Sequence, residues 1–131
     1  MVLLIDDSPA LSLPLPAGQE FERATGLWAG LAKLRARVEA GAAPAVVALG
    51  AGLERPLEAA RQVRHVTADA HLVILCAHGG EALRRALRFE PQVGSEWSVV
   101  DPQDPEAVAA QLADLGEGIL QRRKLRSTST G

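Results

Sequence analysis

Two kinds of hydrophobic pattern alternate along this chain. Short runs of consecutive apolar residues are followed by longer segments in which apolar residues recur every three or four positions. The first kind is typical of strands covered on both faces of a parallel sheet, and the second of amphipathic helices. The apolar runs lie at 2–5, 45–49, 71–77 and 97–100, with a weaker strand candidate at 21–25. The alternation predicts a doubly wound α/β fold with an open, five-stranded parallel sheet.

The run PAVVALGAGL at 44–53 is predicted to contain the central strand. It consists of small and β-branched apolar residues and stops at Gly50, Ala51 and Gly52. In open α/β sheets, functional groups lie just beyond the carboxyl ends of the strands. Here Gly50 brings no side chain to that position, and the nearest following acid is Glu54.

Helical spacing predicts the apolar faces of the helices. Leu27, Leu31, Leu34 and Val38 predict one apolar helix face, which Gly41 is placed to end. The last helix is predicted to begin with Asp104 as N-cap and Pro105 at its first position. Its apolar face comprises Val108, Leu112, Leu115 and Ile119. Beyond it the chain turns basic and then small and polar, so we divide it into a domain at 1–120 and a basic helix end with a flexible tail at 121–131.

The segment between the first two strands is not predicted to form a regular helix. Pro14 and Pro16 interrupt the stretch from Ala10 to Gln19, and proline inside a helix removes a hydrogen bond and clashes with the preceding turn. We therefore expect the first helix of the fold to be missing or shortened, with an irregular strip in its place.

Composition excludes several classes of protein. The chain has 131 residues, of which 47% are apolar and 23% charged, which suits one folded domain. A formal net charge of −2 gives no basic field for nucleic acid, and no apolar run is long enough to cross a membrane. The N-terminus has no basic leader, and Cys76 is the single cysteine, so we expect a cytoplasmic protein without an internal disulfide.

Four stretches give the chain a resemblance to the response-regulator receiver domain. They are LLIDDSP at 3–9, AVVALGAGL at 45–53, HLVILCAHG at 71–79 and VVDPQDPEAV at 99–108. The resemblance implies a receiver or flavodoxin-like strand order of 2-1-3-4-5. It also implies a site in which an acid pair binds magnesium, an aspartate after the third strand accepts a phosphoryl group, and a Ser or Thr and a Lys contact the phosphoryl oxygens.

The chain departs from that family at nearly every site position. The acid pair matches Asp6 and Asp7, but Gly50 stands at the phosphoacceptor position. The remaining positions of this vestigial phosphorylation pocket are Cys76 for the Ser or Thr, Ser98 for the aromatic switch residue, and Asp101 for the Lys, followed by Pro102. Phosphoryl transfer needs a nucleophile and neutralisation of charge on the phosphoryl oxygens, and both are missing.

The resemblance therefore favours a degenerate member of the family, a pseudo-receiver. We expect a phosphorylation-independent signalling or protein-interaction module of a bacterial two-component-type sensor kinase or regulator, with no enzymatic activity, catalytic residue or cofactor. Its partner would be another protein or an adjoining output domain, and the face formed by Val108, Leu112, Leu115 and Ile119 could pair two copies of the last helix in a homodimer. The alternative is an α/β domain that binds a small ligand or nucleotide with the Gly50 loop and Asp6 and Asp7.

Two further constellations carry weaker hypotheses. Asp6, Asp7 and Asp101 could meet at one sheet edge and hold a divalent cation, but we favour the interpretation that they are solvated loop acids or caps of backbone amides. Cys76 and His78 could form a thiol nucleophile with its base. Residues two apart on an extended strand are separated by about 6–7 Å, however, which favours a buried structural cysteine.

Overall fold

The computed structural model describes residues 2–6, 21–50, 55–67, 69–76, 80–94, 96–101 and 105–129. Its strands are β1 (Val2–Asp6), β2 (Phe21–Thr25), β3 (Val46–Leu49), β4 (His71–Leu75) and β5 (Trp97–Val100). Its helices are α1 (Leu27–Glu39), α2 (Pro56–Val66), α3 (Gly80–Arg88) and α4 (Pro105–Ser129). The predicted alternation of strands and helices is confirmed.

All five strands form one parallel sheet in the order β2-β1-β3-β4-β5. The order is the one implied by the receiver resemblance, and the weaker strand candidate at 21–25 is confirmed as the edge strand β2. Among the described residues, no helix lies between β1 and β2. The predicted irregular strip at 10–19 falls outside the described residues.

Alternate residues of the strands enter two separate cores, because successive side chains point to opposite faces of a sheet. Leu3, Val47 and Leu72 belong to the core beneath α1, α2 and α3. Val2, Val46 and Val73 belong to the core beneath α4. Every residue of β1 and β3 is buried, as expected of central strands covered on both faces.

Two glycines of the first helical segment have specific structural roles. Gly41 has a φ of 73°, and its N–H donates to Val38 O at 3.1 Å, so it ends α1 in the left-handed conformation that glycine adopts without strain. Gly30 is buried where α1 crosses β1, and a Cβ built there would lie 2.5–2.8 Å from carbons of the Ile5 side chain. The helix can therefore approach this strand closely only because residue 30 has no side chain.

The last helix is the longest element of the described chain. α4 begins at Pro105, as predicted, and continues to Ser129, so that most of the segment assigned to a basic helix end and tail at 121–131 lies within the helix. At about 1.5 Å per residue, its 25 residues span roughly 37 Å. No helix within the described ranges combines the length and apolar character that crossing a membrane would need.

Candidate functional site

The carboxyl edge of the sheet brings together the ends of the strands that carry the receiver resemblance. Asp6 ends β1 and Gly50 follows β3, and the Gly50 N–H donates to Ile5 O at 2.7 Å. Cys76 follows β4 and pairs with β5 through its N–H and Val100 O at 3.0 Å. Asp101 follows β5. These four positions therefore lie along one edge of the sheet, the edge at which the sequence resemblance places a candidate site.

The space that a side chain at residue 50 would need is filled by Asp6. Gly50 is buried, and Asp6 is only 7% exposed. A Cβ built on Gly50 would lie 2.6 Å from Cβ of Asp6, and it would lie closer still to Cγ and Oδ2. Real Cβ atoms do not make such contacts, so the Asp6 side chain and any side chain at position 50 exclude each other in this arrangement.

The other expected site residues do not complete a cluster. Cys76 is half-buried and packs against the core beneath α1 to α3, which fits the structural role favoured for it, and its partner in the thiol hypothesis, His78, falls outside the described residues. Asp101 is exposed. Asp7 and Pro102 also fall outside the described residues, and over the ranges that the structure covers no three metal-binding side chains come together.

Ser98 lies away from this edge, in the middle of β5 and on the opposite face of that strand from Trp97. Trp97 packs against the core beneath α1 to α3, as its position beside Ser98 predicts. Ser98 instead faces α4 and lies 2.9 Å, Oγ to Nε2, from His71 at the start of β4. Nδ1 of His71 is 3.5 Å from Oε2 of Glu96. The structure thus aligns a hydroxyl, an imidazole and a carboxylate.

Sequence reasoning missed this trio. His71 and Ser98 are 27 residues apart and belong to different strands. They meet because β4 and β5 pair with Val73 opposite Ser98, which places residues 71, 73 and 98 on one face. The trio could have been found from the sequence only by predicting how the apolar runs at β4 and β5 pair.

A pocket adjoins Ser98 between the sheet and α4. It has a volume of about 150 Å³. Its lining residues are Val73, Ser98, Val100, Val108, Gln111, Leu112 and Leu115. Apart from the Ser98 hydroxyl and the Gln111 amide, these side chains are apolar, so the pocket suits a small apolar group with one polar end.

The helix face that was predicted to pair two copies of the chain is largely buried against the chain's own sheet. Val108 and Leu112 are 3% and 1% exposed in the core beneath α4, and Leu115 and Ile119 pack against it while half-buried. Homodimerisation through α4 stays a prediction, but in this fold it would need the outer side of α4 or its end beyond Ile119. The cluster Arg122, Arg123, Lys124 and Arg126 belongs to that helical end.

Charged side chains connect α2 with the loop after α3. Arg61 is hydrogen-bonded to Glu90, with Nε 3.0 Å from Oε2, and to Glu58 at 3.1 Å. Hydrogen bonding to Arg61 lowers the pKa of Glu90, and hydrogen bonds from Gln62 and Arg61 lower the pKa of Glu58. Both carboxylates are thereby favoured in their charged forms.

Arg64, on the same helix, forms hydrogen bonds with the backbone of neighbouring segments. Its guanidinium donates to three backbone carbonyls, those of Val93, Ala70 and Glu96, each at 2.7 Å. Partial burial lowers the pKa of Arg64. These bonds hold together the segments that lead into β4 and β5, and so they position His71 and Glu96.

Comparison with known proteins adds no assignment: no family model, curated protein or solved structure matches this chain.

Proposed function

We propose that the chain is a pseudo-receiver, a signalling or protein-interaction module that works without accepting a phosphoryl group. The observation that carries the proposal is the close approach of Asp6 to Gly50 in a five-stranded sheet of order 2-1-3-4-5. The side chain that would bind magnesium in a receiver occupies the space that the phosphoacceptor would need. The chain thus combines a receiver-like strand order with a sheet edge that has no space for a phosphoacceptor side chain.

The surface supports a role in protein contacts. Trp28 on α1 and Phe89 after α3 are 78% and 82% exposed. Large aromatic residues with that exposure favour binding of partners, because burying one contributes substantially to association. Both belong to the side of the sheet covered by α1 to α3, and this side is where we place the partner or the adjoining output domain.

The proposal is tested by incubating the protein with acetyl phosphate and Mg²⁺ and measuring its intact mass. We expect no phosphoryl adduct on the wild type. Gly50→Asp should also remain unmodified, because the new side chain overlaps Asp6 and because Asp101 stands where a cation is needed. A phosphoryl adduct on the wild-type protein that maps to a single aspartate would refute the proposal.

A thermal-shift screen separates the proposal from the alternative of a small-ligand or nucleotide-binding domain. A ligand at 100 times its Kd stabilises the folded state by about 2.7 kcal/mol, which is a shift of several degrees. We expect no shift with nucleotides or divalent cations. A shift that disappears in Asp6→Asn would instead favour the alternative, since that domain would use Asp6 and the Gly50 loop.

A further inference from the structure

We propose that Ser98, His71 and Glu96 form an acyl-transfer site that hydrolyses esters of short apolar acids, with the pocket beneath α4 holding the acyl group. The proposal is independent of the pseudo-receiver assignment and differs from the sequence-based expectation of no catalytic residue. It follows from three side chains in series, a hydroxyl 2.9 Å from an imidazole that is itself 3.5 Å from a carboxylate.

The series has the order that nucleophilic catalysis requires. A serine hydroxyl is a weak nucleophile until a base within hydrogen-bonding distance takes its proton. When the proton of His71 is on Nδ1, the ring nitrogen nearer to Glu96, the lone pair of Nε2 is available to the Ser98 hydroxyl. The carboxylate then stabilises the imidazolium that forms when the proton moves. His71 is mostly buried, with its side chain 16% exposed, whereas that of Glu96 is 73% exposed.

The pocket supplies what the three side chains do not. Its volume of about 150 Å³ matches a cavity able to hold a benzene-sized group, so the acyl chain it fits has about four to six carbons. Ser98 lines this pocket directly. Gln111 on α4 also lines the pocket, and beside the Ser98 hydroxyl its amide N–H is the side-chain donor in the lining that can bind a developing oxyanion.

The reaction balances with water as the only co-reactant. Ser98 Oγ attacks the ester carbonyl carbon, its proton passes to His71 Nε2, and the carbonyl electron pair moves to oxygen. Collapse of this intermediate breaks the bond to the alkoxide, which leaves with the proton from Nε2. Water then attacks the acyl-Ser98 ester in the same way and releases the carboxylic acid and the free serine.

The main test combines hydrolysis of p-nitrophenyl butyrate with labelling by phenylmethanesulfonyl fluoride. We expect a single sulfonyl adduct that maps to Ser98, and hydrolysis that falls to the uncatalysed rate in Ser98→Ala. His71→Gln should lower the rate by about 10²–10⁴-fold, the usual contribution of a general base. Thr25→Ala and His65→Gln are the matched controls, because both remove the same groups from exposed positions and should leave the rate unchanged.

Glu96 is a positioning residue, and its test is the pH profile. The hydrolysis rate should rise with pH as His71 loses its proton. A neighbouring carboxylate favours the protonated imidazole, so Glu96→Gln should move the midpoint of the rise to lower pH while lowering the plateau less than His71→Gln does. A purely structural role would leave the midpoint in place.

The opposite outcomes are equally clear. A hydrolysis rate that is the same in the wild type, Ser98→Ala and His71→Gln overturns the proposal, as does labelling on any other residue. Labelling needs only the wild-type protein, so it decides the question even where a variant fails to fold. Circular dichroism of each variant establishes whether a lost rate reflects lost chemistry or lost structure.

Discussion

At the scale of single residues, the contact between Asp6 and Gly50 has the most direct energetic consequence. Two side chains cannot share the space between the ends of β1 and β3. Added volume in a well-packed interior forces side chains and backbone to shift and costs about 1–3 kcal/mol. Gly50→Ala should therefore lower the free energy of unfolding by about that amount, as measured by urea denaturation.

A glycine in open space and a double variant serve as controls for this prediction. Gly118 lies within α4 with open space around it, so Gly118→Ala should stabilise the protein by up to about 1 kcal/mol. Asp6→Gly combined with Gly50→Ala should be less destabilised than the sum of the two single variants, because the side-chain atoms of residue 6 that would overlap the new Cβ, its own Cβ included, are then absent. Additive effects would show that the two residues do not compete for space.

At the scale of elements, the link between α2 and α3 predicts how stability depends on pH. Glu90 and Glu58 have lowered pKa values in the folded state, so their stabilisation is complete above the ordinary value of 4.5 and is lost as pH falls through the lowered value. Glu90→Gln should lower the thermal midpoint at pH 7. The difference from the wild type should shrink as the pH falls below 4.5 and through the lowered pKa of Glu90.

The control for this prediction is Glu39→Gln, which removes an exposed carboxylate from the end of α1. Its thermal midpoint should stay close to that of the wild type at both pH values. A Glu90→Gln variant with the same deficit at acid and neutral pH would contradict the assignment, since the contact would then act through packing rather than through charge.

How far each element could be predicted depended on whether its signal is local. β1, β3 and β4 are buried on both faces, so their apolar runs identify them directly. β2 is an edge strand that carries Glu22 and Arg23, and its weaker signal reflects the solvent beside it. The contact of Asp6 with Gly50 and that of His71 with Ser98 arise from strand pairing between distant segments, and no local pattern contains that information.

At the scale of the whole molecule, the last helix extends past the residues that are shown to pack against the core. Among the α4 residues whose side chains the structure describes, Ile119 is the last that packs against the core, while the helix continues to Ser129. Removal of residues 121–131 should therefore leave a cooperative thermal transition within a few degrees of the full chain, because the buried apolar contacts remain. Circular dichroism against temperature measures this directly.

A shorter chain and a sedimentation measurement complete that experiment. A chain ending at residue 107 loses Val108, Ala109 and Leu112 from the core beneath α4 and should not fold. Sedimentation of the two longer chains separates stability from association. If the helical end pairs two copies, only the full chain sediments as a dimer, and a monomer at high concentration in both would contradict homodimerisation through α4.

The proportions of α4 also have a mechanical consequence. α4 packs against the sheet as far as Ile119, and from there to Ser129 it continues for 10 residues or about 15 Å. A straight helix carries a tilt along its whole length. A tilt of about 5° about Ile119 would therefore move the far end by roughly 1.3 Å, so a change in how α4 packs beside the pocket is expected to shift the backbone at Ser129.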